Sequence, residues 1–308
     1  MDQYFWNAYK RLEYETLALA DCIHVCDDQL KVYSERISDL LVRASIEAEA
    51  LVKVLYHANG GTKPGGKDLY FDTDCFGLLE SKWVISKKTI YVTASSFYLQ
   101  DESNRVLRPL YKSYKRGTSS SDWQKAYQAV KHDRVHNLKS GNLRNLLLAM
   151  GALYIINIYY RDTHFSNLSD LKGSNIDWGL GSELFSVKVS PESEDKSIRK
   201  AYQKKPDYDE CIYIIKHTDE TNQALKNVLL TIDKETNEKS LVLLLKKAGI
   251  EKLDQFDTLE LEKKQILVES VQETKNKVYR ETLLQHSSEM RKAYNEMVIE
   301  AVLNKNQY

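Results

Sequence analysis

Proline and glycine are scarce in this 308-residue chain, at 4 and 12 residues. That scarcity excludes collagen-like and low-complexity architectures and favours long uninterrupted helices. Cysteine is scarce too. Cys22, Cys26, Cys75 and Cys211 are too few to make a disulfide scaffold in a chain of this length. Net charge is absent: 44 Lys and Arg balance 44 Asp and Glu, which excludes a globally basic nucleic-acid binder but not a local basic face. No long hydrophobic run occurs either. Residues 146–160 are the most apolar stretch, but Asn157 interrupts them and they fall short of the ~20 residues a membrane span needs. The first residues carry neither a basic region nor an apolar one, so no secretory signal is expected. These absences predict a soluble, reduced, cytoplasmic protein without a membrane segment. What is present, 42% hydrophobic and 29% charged residues, is enough for a core and too apolar for wholesale disorder.

The chain reads as mainly α. Residues 4–26 contain neither Pro nor Gly and predict a first helix. Ile37, Leu40, Leu41, Ala44, Ala48, Leu51 and Leu55 recur at steps of three and four, one stripe of an amphipathic helix. The glycine-rich loop at 59–66 ends it, and is no phosphate-binding loop, since it follows a helix and lacks the closing Gly-Lys-Ser/Thr. A short strand is expected at 89–93, a helix from about Asp122 to His136, and a helix apolar nearly all round at 142–160. Around Phe185, Val187 and Val189 the period changes to two, which predicts a strand, and 211–215 suit a second one. Residues 190–209 are the best linker candidate. Asp257, with Glu260 at N3 and Phe256 and Leu261 as a hydrophobic staple, predicts the start of a long helix running toward Asn304. The expected organisation is a helical bundle at 1–165, a strand-containing insert or linker at 166–215, and a helical region at 216–308.

The informative segment is Trp123-Gln-Lys-Ala-Tyr127-Gln-Ala-Val130-Lys131-His132-Asp133-Arg134-Val135-His136-Asn137, followed by Asn142-Leu-Arg144-Asn145 and the apolar helix. An aromatic-rich helix ending in Lys-His-x-Arg, a short turn, and an Asn-Leu-x-Asn-Leu helix resemble HEPN-like helical bundles. The resemblance covers roughly residues 1–165. It implies a bundle of four or five helices of the kind found in toxins, antiphage proteins and RNA-processing factors. Nuclease members carry Arg, four to six residues, then His, at a dimer interface, and cleave RNA without metal: Arg holds the phosphate while His transfers protons. Here a single residue separates Arg134 from His136, which departs from that spacing. The pair at family spacing is Arg280 and His286, far along the C-terminal region.

The residues give their own reading beside the resemblance. On one continuous helix, Trp123, Tyr127, Val130 and Arg134 would lie within a band of about 60°. Arg134 would then sit on the apolar side and need a partner, for which Glu47 is a candidate although Arg43 competes for it. His132 and His136 are four apart on the flank, suited to proton transfer near neutral pH but one ligand short of a catalytic zinc site. Cys22 and Cys26 would share a helix face, with no second cysteine pair to complete a zinc site. From Arg108 to Arg144 there are nine basic residues against Asp122 and Asp133, a local charge of +7, with Tyr111, Tyr114 and Tyr127 interleaved. Cations with aromatics between them suit an RNA backbone with occasional base stacking, or equally a docking face for an acidic partner protein.

Two functions follow as expectations. One is an RNA-directed effector of a bacterial defence or toxin–antitoxin-type system, a metal-independent endoribonuclease. It would use His132, Arg134 and His136 for catalysis and Lys112, Lys115, Arg116, Lys131 and Arg144 for phosphates, with Arg280 and His286 as a second candidate pair. The other is a non-catalytic HEPN-like subunit that dimerises and binds a partner protein in a defence complex. Neither calls for a cofactor. Both imply a homodimer or a hetero-oligomer with a defence-system protein. No Gly-x-Ser-x-Gly, His-Glu-x-x-His or Walker loop occurs.

Overall fold

A computed structural model of the chain describes residues 3–63, 68–117, 121–162, 177–191 and 204–307. The described residues are mainly helical and fall into two compact units. The described residues up to 191, with 204–216 and 300–307, form the first unit; 217–299 form the second. The first unit contains the helices α1 (Tyr4–Leu17), α2 (Glu35–Ala58), α3 (Gly77–Trp83), α4 (Glu102–Arg105), α5 (Asp122–His132), α6 (Arg134–Asn137) and α7 (Leu143–Arg161). Its strands are β1 (Ile90–Val92), β2 (Val106–Leu107), β3 (Phe185–Val187), β4 (Val189–Pro191), β5 (Tyr213–His217) and β6 (Ile299–Leu303).

Helices α1, α2, α5 and α7 pack on one another as the core. The stripe read from the sequence makes α2 the centre of this packing. Ile37, Leu40, Leu41, Ala44, Ala48, Leu51 and Leu55 are all buried. The Ser34 hydroxyl caps the helix start, accepting from the Ile37 amide at 3.2 Å. Against α2 lies α7, whose Asn142 side chain accepts from the Asn145 amide at 3.0 Å. Length and composition would let α7 cross a membrane, but 78% of its apolar window is buried inside the unit. That burial makes it a core helix. Gly151 lets β1 close on it, because a Cβ there would stand 2.7 Å from the Ile90 Cδ1 atom.

Two small sheets cover the bundle. In the first, β1 pairs antiparallel with β2 and β3, so Ile90 faces both Leu107 and Val187. In the second the order is β4-β5-β6, with β4 and β5 parallel. The strand expected around 185–189 is thus divided at Lys188, whose amide donates to Thr89 and whose carbonyl accepts from Ile212. A buried carboxylate ties the segment leading into β3 to α1. Glu13 Oε1 accepts from the Tyr9 hydroxyl, the Ser182 hydroxyl and the amides of Glu183 and Leu184. Four donors on one oxygen offset the cost of burying the group. Lys10 adds an ion pair to the other oxygen.

In the second unit α8 (Asp219–Ala248) and α9 (Leu261–Gln285) form a helical hairpin, with α10 (Ser287–Asn295) also against α8. Lys239 bonds to Gln285 and Lys247 to Thr274, which fixes the antiparallel register. Gly249, at φ 70°, takes the left-handed conformation that ends α8. The seam mixes Leu225, Ile232, Leu267 and Val278 with the buried hydroxyl residues Thr236, Ser240, Thr274 and Thr282.

Three expected elements end elsewhere. The first helix stops at Leu17 rather than near residue 26, and Cys22 stands exposed beyond it. Asp257 lies in a 3-10 turn, its carbonyl accepting from Lys264 Nζ, and α9 begins only after Glu260. The long C-terminal run breaks at His286 and finishes as the strand β6. Parts of the expected loop at 59–66 and linker at 190–209, and residues 118–120 before α5, lie outside the described residues.

Candidate nucleic-acid interface

The basic segment begins where the chain leaves β2. A turn with Lys112 at φ 60° carries the exposed Tyr111 ring between two cations, Arg108 and Lys112, each 5.3 Å from its centroid. Lys115 lies 5.6 Å over Tyr114, Arg116 4.1 Å over Tyr70 and Lys131 5.3 Å over Tyr127. Cation and ring attract through the ring quadrupole, so each tyrosine steadies a long basic side chain that still projects into water. Arg108, Lys112, Lys115, Arg116, Lys125, Lys131 and Lys139 are all exposed. Arg144 is exposed as well, but its guanidinium donates to the Asn104 side chain at 2.7 Å, which in turn donates to Asp27.

The helix does not run through to His136. Asp133 breaks it, with φ −152° and ψ 83°, and restarts the chain as the single turn α6. Its carboxylate accepts from the His136 amide at 3.2 Å and pairs with His136 Nδ1 at 2.8 Å. Aspartate competes well for such local bonds, which is why it ends helices as well as starting them. The consequence for Arg134 is a correction. It does not continue the apolar stripe of Trp123, Tyr127 and Val130, which are buried, but stands exposed and pairs with Asp39 on α2 at 2.7 Å. Glu47 is not its partner, and Arg43 is bonded twice to Glu15. With both members of the Arg134–Asp39 pair roughly half exposed, Arg134→Ala should lower stability by no more than about 1 kcal/mol. A denaturant melt showing a loss of about 3 kcal/mol or more would mean a buried pair instead.

His132, at the end of α5, and His136 are both exposed. His136 has an oriented ring: Asp133 holds Nδ1 and leaves Nε2 facing outward, the geometry in which a carboxylate positions a proton-transferring imidazole. The second candidate pair lies on the hairpin of the other unit, where Arg280 is exposed. Both ring nitrogens of His286 are engaged there, Nε2 with Glu235 and Nδ1 with Glu289, each at 2.9 Å. Hydrogen bonds to Glu289 and Glu235 raise its pKa, and with both nitrogens engaged neither is left for a substrate. Among the described residues no group of three or more His, Cys, Asp or Glu is placed to hold a metal ion. Cys22 and Cys26 do not share a helix, and His24 stacks on Tyr98 at 4.8 Å.

Sequence reasoning missed a groove beside this segment. It has a volume of about 530 Å³, and its walls include Glu49 from α2, Phe71 and Asp72 from the π-helical turn Phe71–Phe76, Arg116, and Tyr127 and Gln128 from α5. Burial pushes the Glu49 carboxyl above its ordinary value, against the pull of Lys131 and Lys53. Burial and then Glu49 push the Tyr127 phenol up in turn. No local motif marks Glu49, because nothing in α2 itself shows that the π-helical turn folds beside it. Comparison with protein-family models, curated proteins and solved structures found no match to this chain.

Proposed function

We propose that the first unit is an RNA-directed effector of the HEPN-like kind, belonging to a bacterial defence or toxin–antitoxin-type system and working as a homodimer or with a partner from that system. The observation that carries this reading is the run of exposed cations from Arg108 to Lys139, five of which (Arg108, Lys112, Lys115, Arg116 and Lys131) lie over tyrosine rings, leading to an Asp133–His136 pair with a free Nε2. The cations would track the phosphates of a single strand. His136, and His132 at the end of α5 across the Asp133 break, would move a proton between the 2′-hydroxyl, the leaving oxygen and water. Arg134, once drawn from Asp39, would face the phosphate charge. Cleavage of this kind needs no metal. The experiment is to incubate the purified chain with RNA in EDTA and inspect the ends; cleavage is expected, and its absence in every assembly state would defeat the catalytic reading.

A second reading has its own observation. Leu230, Leu241, Val242, Leu243, Ile266, Val268 and Leu284 are exposed on the α8–α9 hairpin, more apolar surface than a two-helix layer covers by itself. On that reading the chain is a non-catalytic subunit that uses the hairpin to bind a partner protein.

A further inference from the structure

Resting on the RNA reading above, we propose that the groove walled by Glu49, Phe71, Asp72, Arg116, Tyr127 and Gln128 holds one unstacked nucleotide of the bound strand and selects guanine. The volume, about 530 Å³, lies in the range of pockets that take small organic ligands. Its chemistry separates the parts of a nucleotide. Arg116 and Lys125 put two cations on its lining, and two carboxylates, Glu49 and Asp72, line it as well. They repel phosphate, so they belong to the part of the ligand that presents N–H donors, which is the base. Phe71 supplies an aromatic wall on which a splayed-out base stacks. Arg116, held over Tyr70, supplies the cation for an adjoining phosphate.

Glu49 sets the choice of base. A carboxylate has two acceptor oxygens and no donor. Guanine alone among the four bases offers two neighbouring N–H groups, at N1 and the 2-amino group, that satisfy both oxygens at once. Uracil offers one N–H flanked by carbonyl oxygens that face the carboxylate unfavourably, and adenine and cytosine offer a single amino group beside a ring acceptor. Partial burial of Glu49 strengthens the discrimination, because a desolvated acceptor left unpaired is costly.

The test uses the full chain and fluorescence anisotropy with three short labelled RNAs: oligouridylate, the same strand with one central guanosine, and the same strand with inosine in that place. The guanosine strand should bind roughly tenfold tighter than oligouridylate, the discrimination expected of a bidentate base contact. Inosine lacks only the 2-amino group and should lose most of that gain. Glu49→Gln should erase the guanosine preference, bringing the ratio of guanosine-strand to oligouridylate affinity close to one, because the amide removes the repulsion toward uracil and one of the two acceptors for guanine. The inosine comparison needs no variant, so a folding defect in Glu49→Gln cannot blur the answer. Equal, salt-sensitive binding of all three strands would overturn the guanine groove and leave the RNA reading standing. Failure of all three to bind would overturn both.

Discussion

Lys88→Met is expected to make the first unit more stable at neutral pH and to flatten its dependence on pH. The Lys88 side chain is 1% exposed, and its ammonium donates at 3.1 Å to the carbonyl of Cys211. That carbonyl already accepts from the Asn304 side chain at 3.0 Å. Burial pushes the Lys88 pKa down to about 7 from an ordinary value near 10.5, more strongly than Asp209 and the other neighbours pull it up. The sign follows from linkage. Between pH 10.5 and 7 the unfolded chain binds a proton at this position that the folded chain refuses, so stability falls as pH is lowered through that window. Below it the folded chain must bury the charge. The accumulated cost is on the order of 3–5 kcal/mol. Methionine keeps the length of the stem, removes the charge, and leaves the Cys211 carbonyl with Asn304. Thermal melts from pH 7 to 10 should show wild type gaining stability with pH and the variant starting higher and changing less. A variant that melts lower than wild type at pH 7 would show that Lys88 is a paired cation on which the fold depends.

His136→Ala is expected to reduce EDTA-resistant RNA cleavage by about 10²–10⁴-fold, the usual worth of a positioned proton donor or acceptor. The side chain is 81% exposed and packs into no core, so the melting temperature should not move. Asp133→Asn is the companion change. It should slow cleavage by weakening the hold on Nδ1 while leaving α6 in place, because the asparagine carbonyl oxygen still accepts from the His136 amide. Substituting His132 and His136 together separates the two histidines from the rest of the surface. Full cleavage in that double variant would remove both from the mechanism. Loss of cleavage together with a lowered melting temperature would count as structural damage rather than chemistry.

How much of this was legible in the sequence depended on how local each feature is. The α2 stripe and the apolar α7 could be read because every residue that decides them lies within a few turns of the next, and all seven stripe positions are buried. The period-two run near Phe185 was legible for the same reason. Asp133 was not. Inside the run from Trp123 to His136 it looks like one polar residue on a helix, and only its bonds to His136 turn it into a break. That break moved Arg134 off the core stripe and onto Asp39. The C-terminal strand was hidden by composition, since Ile299-Glu-Ala-Val-Leu303 suits a helix as well as a strand, and only pairing with β5 decides. Features joined over long separations left no trace: Glu13 with Ser182 and Leu184, Lys88 with Cys211, Glu49 with Phe71. Each side chain is unremarkable in its own segment.

If the tyrosine-backed cations bind a single RNA strand by charge, as proposed, binding must respond to salt. For wild type the logarithm of the binding constant should fall linearly with the logarithm of salt concentration, with a slope near −0.7 for each phosphate neutralised. A variant with Lys112→Asn, Lys115→Ser and Arg116→Ser removes three of these cations; asparagine suits the left-handed backbone at 112. Its slope should become shallower by about 2, three contacts at that increment. Binding that ignores salt, or a variant whose slope matches wild type, would contradict the account and turn attention to a protein partner on the hairpin.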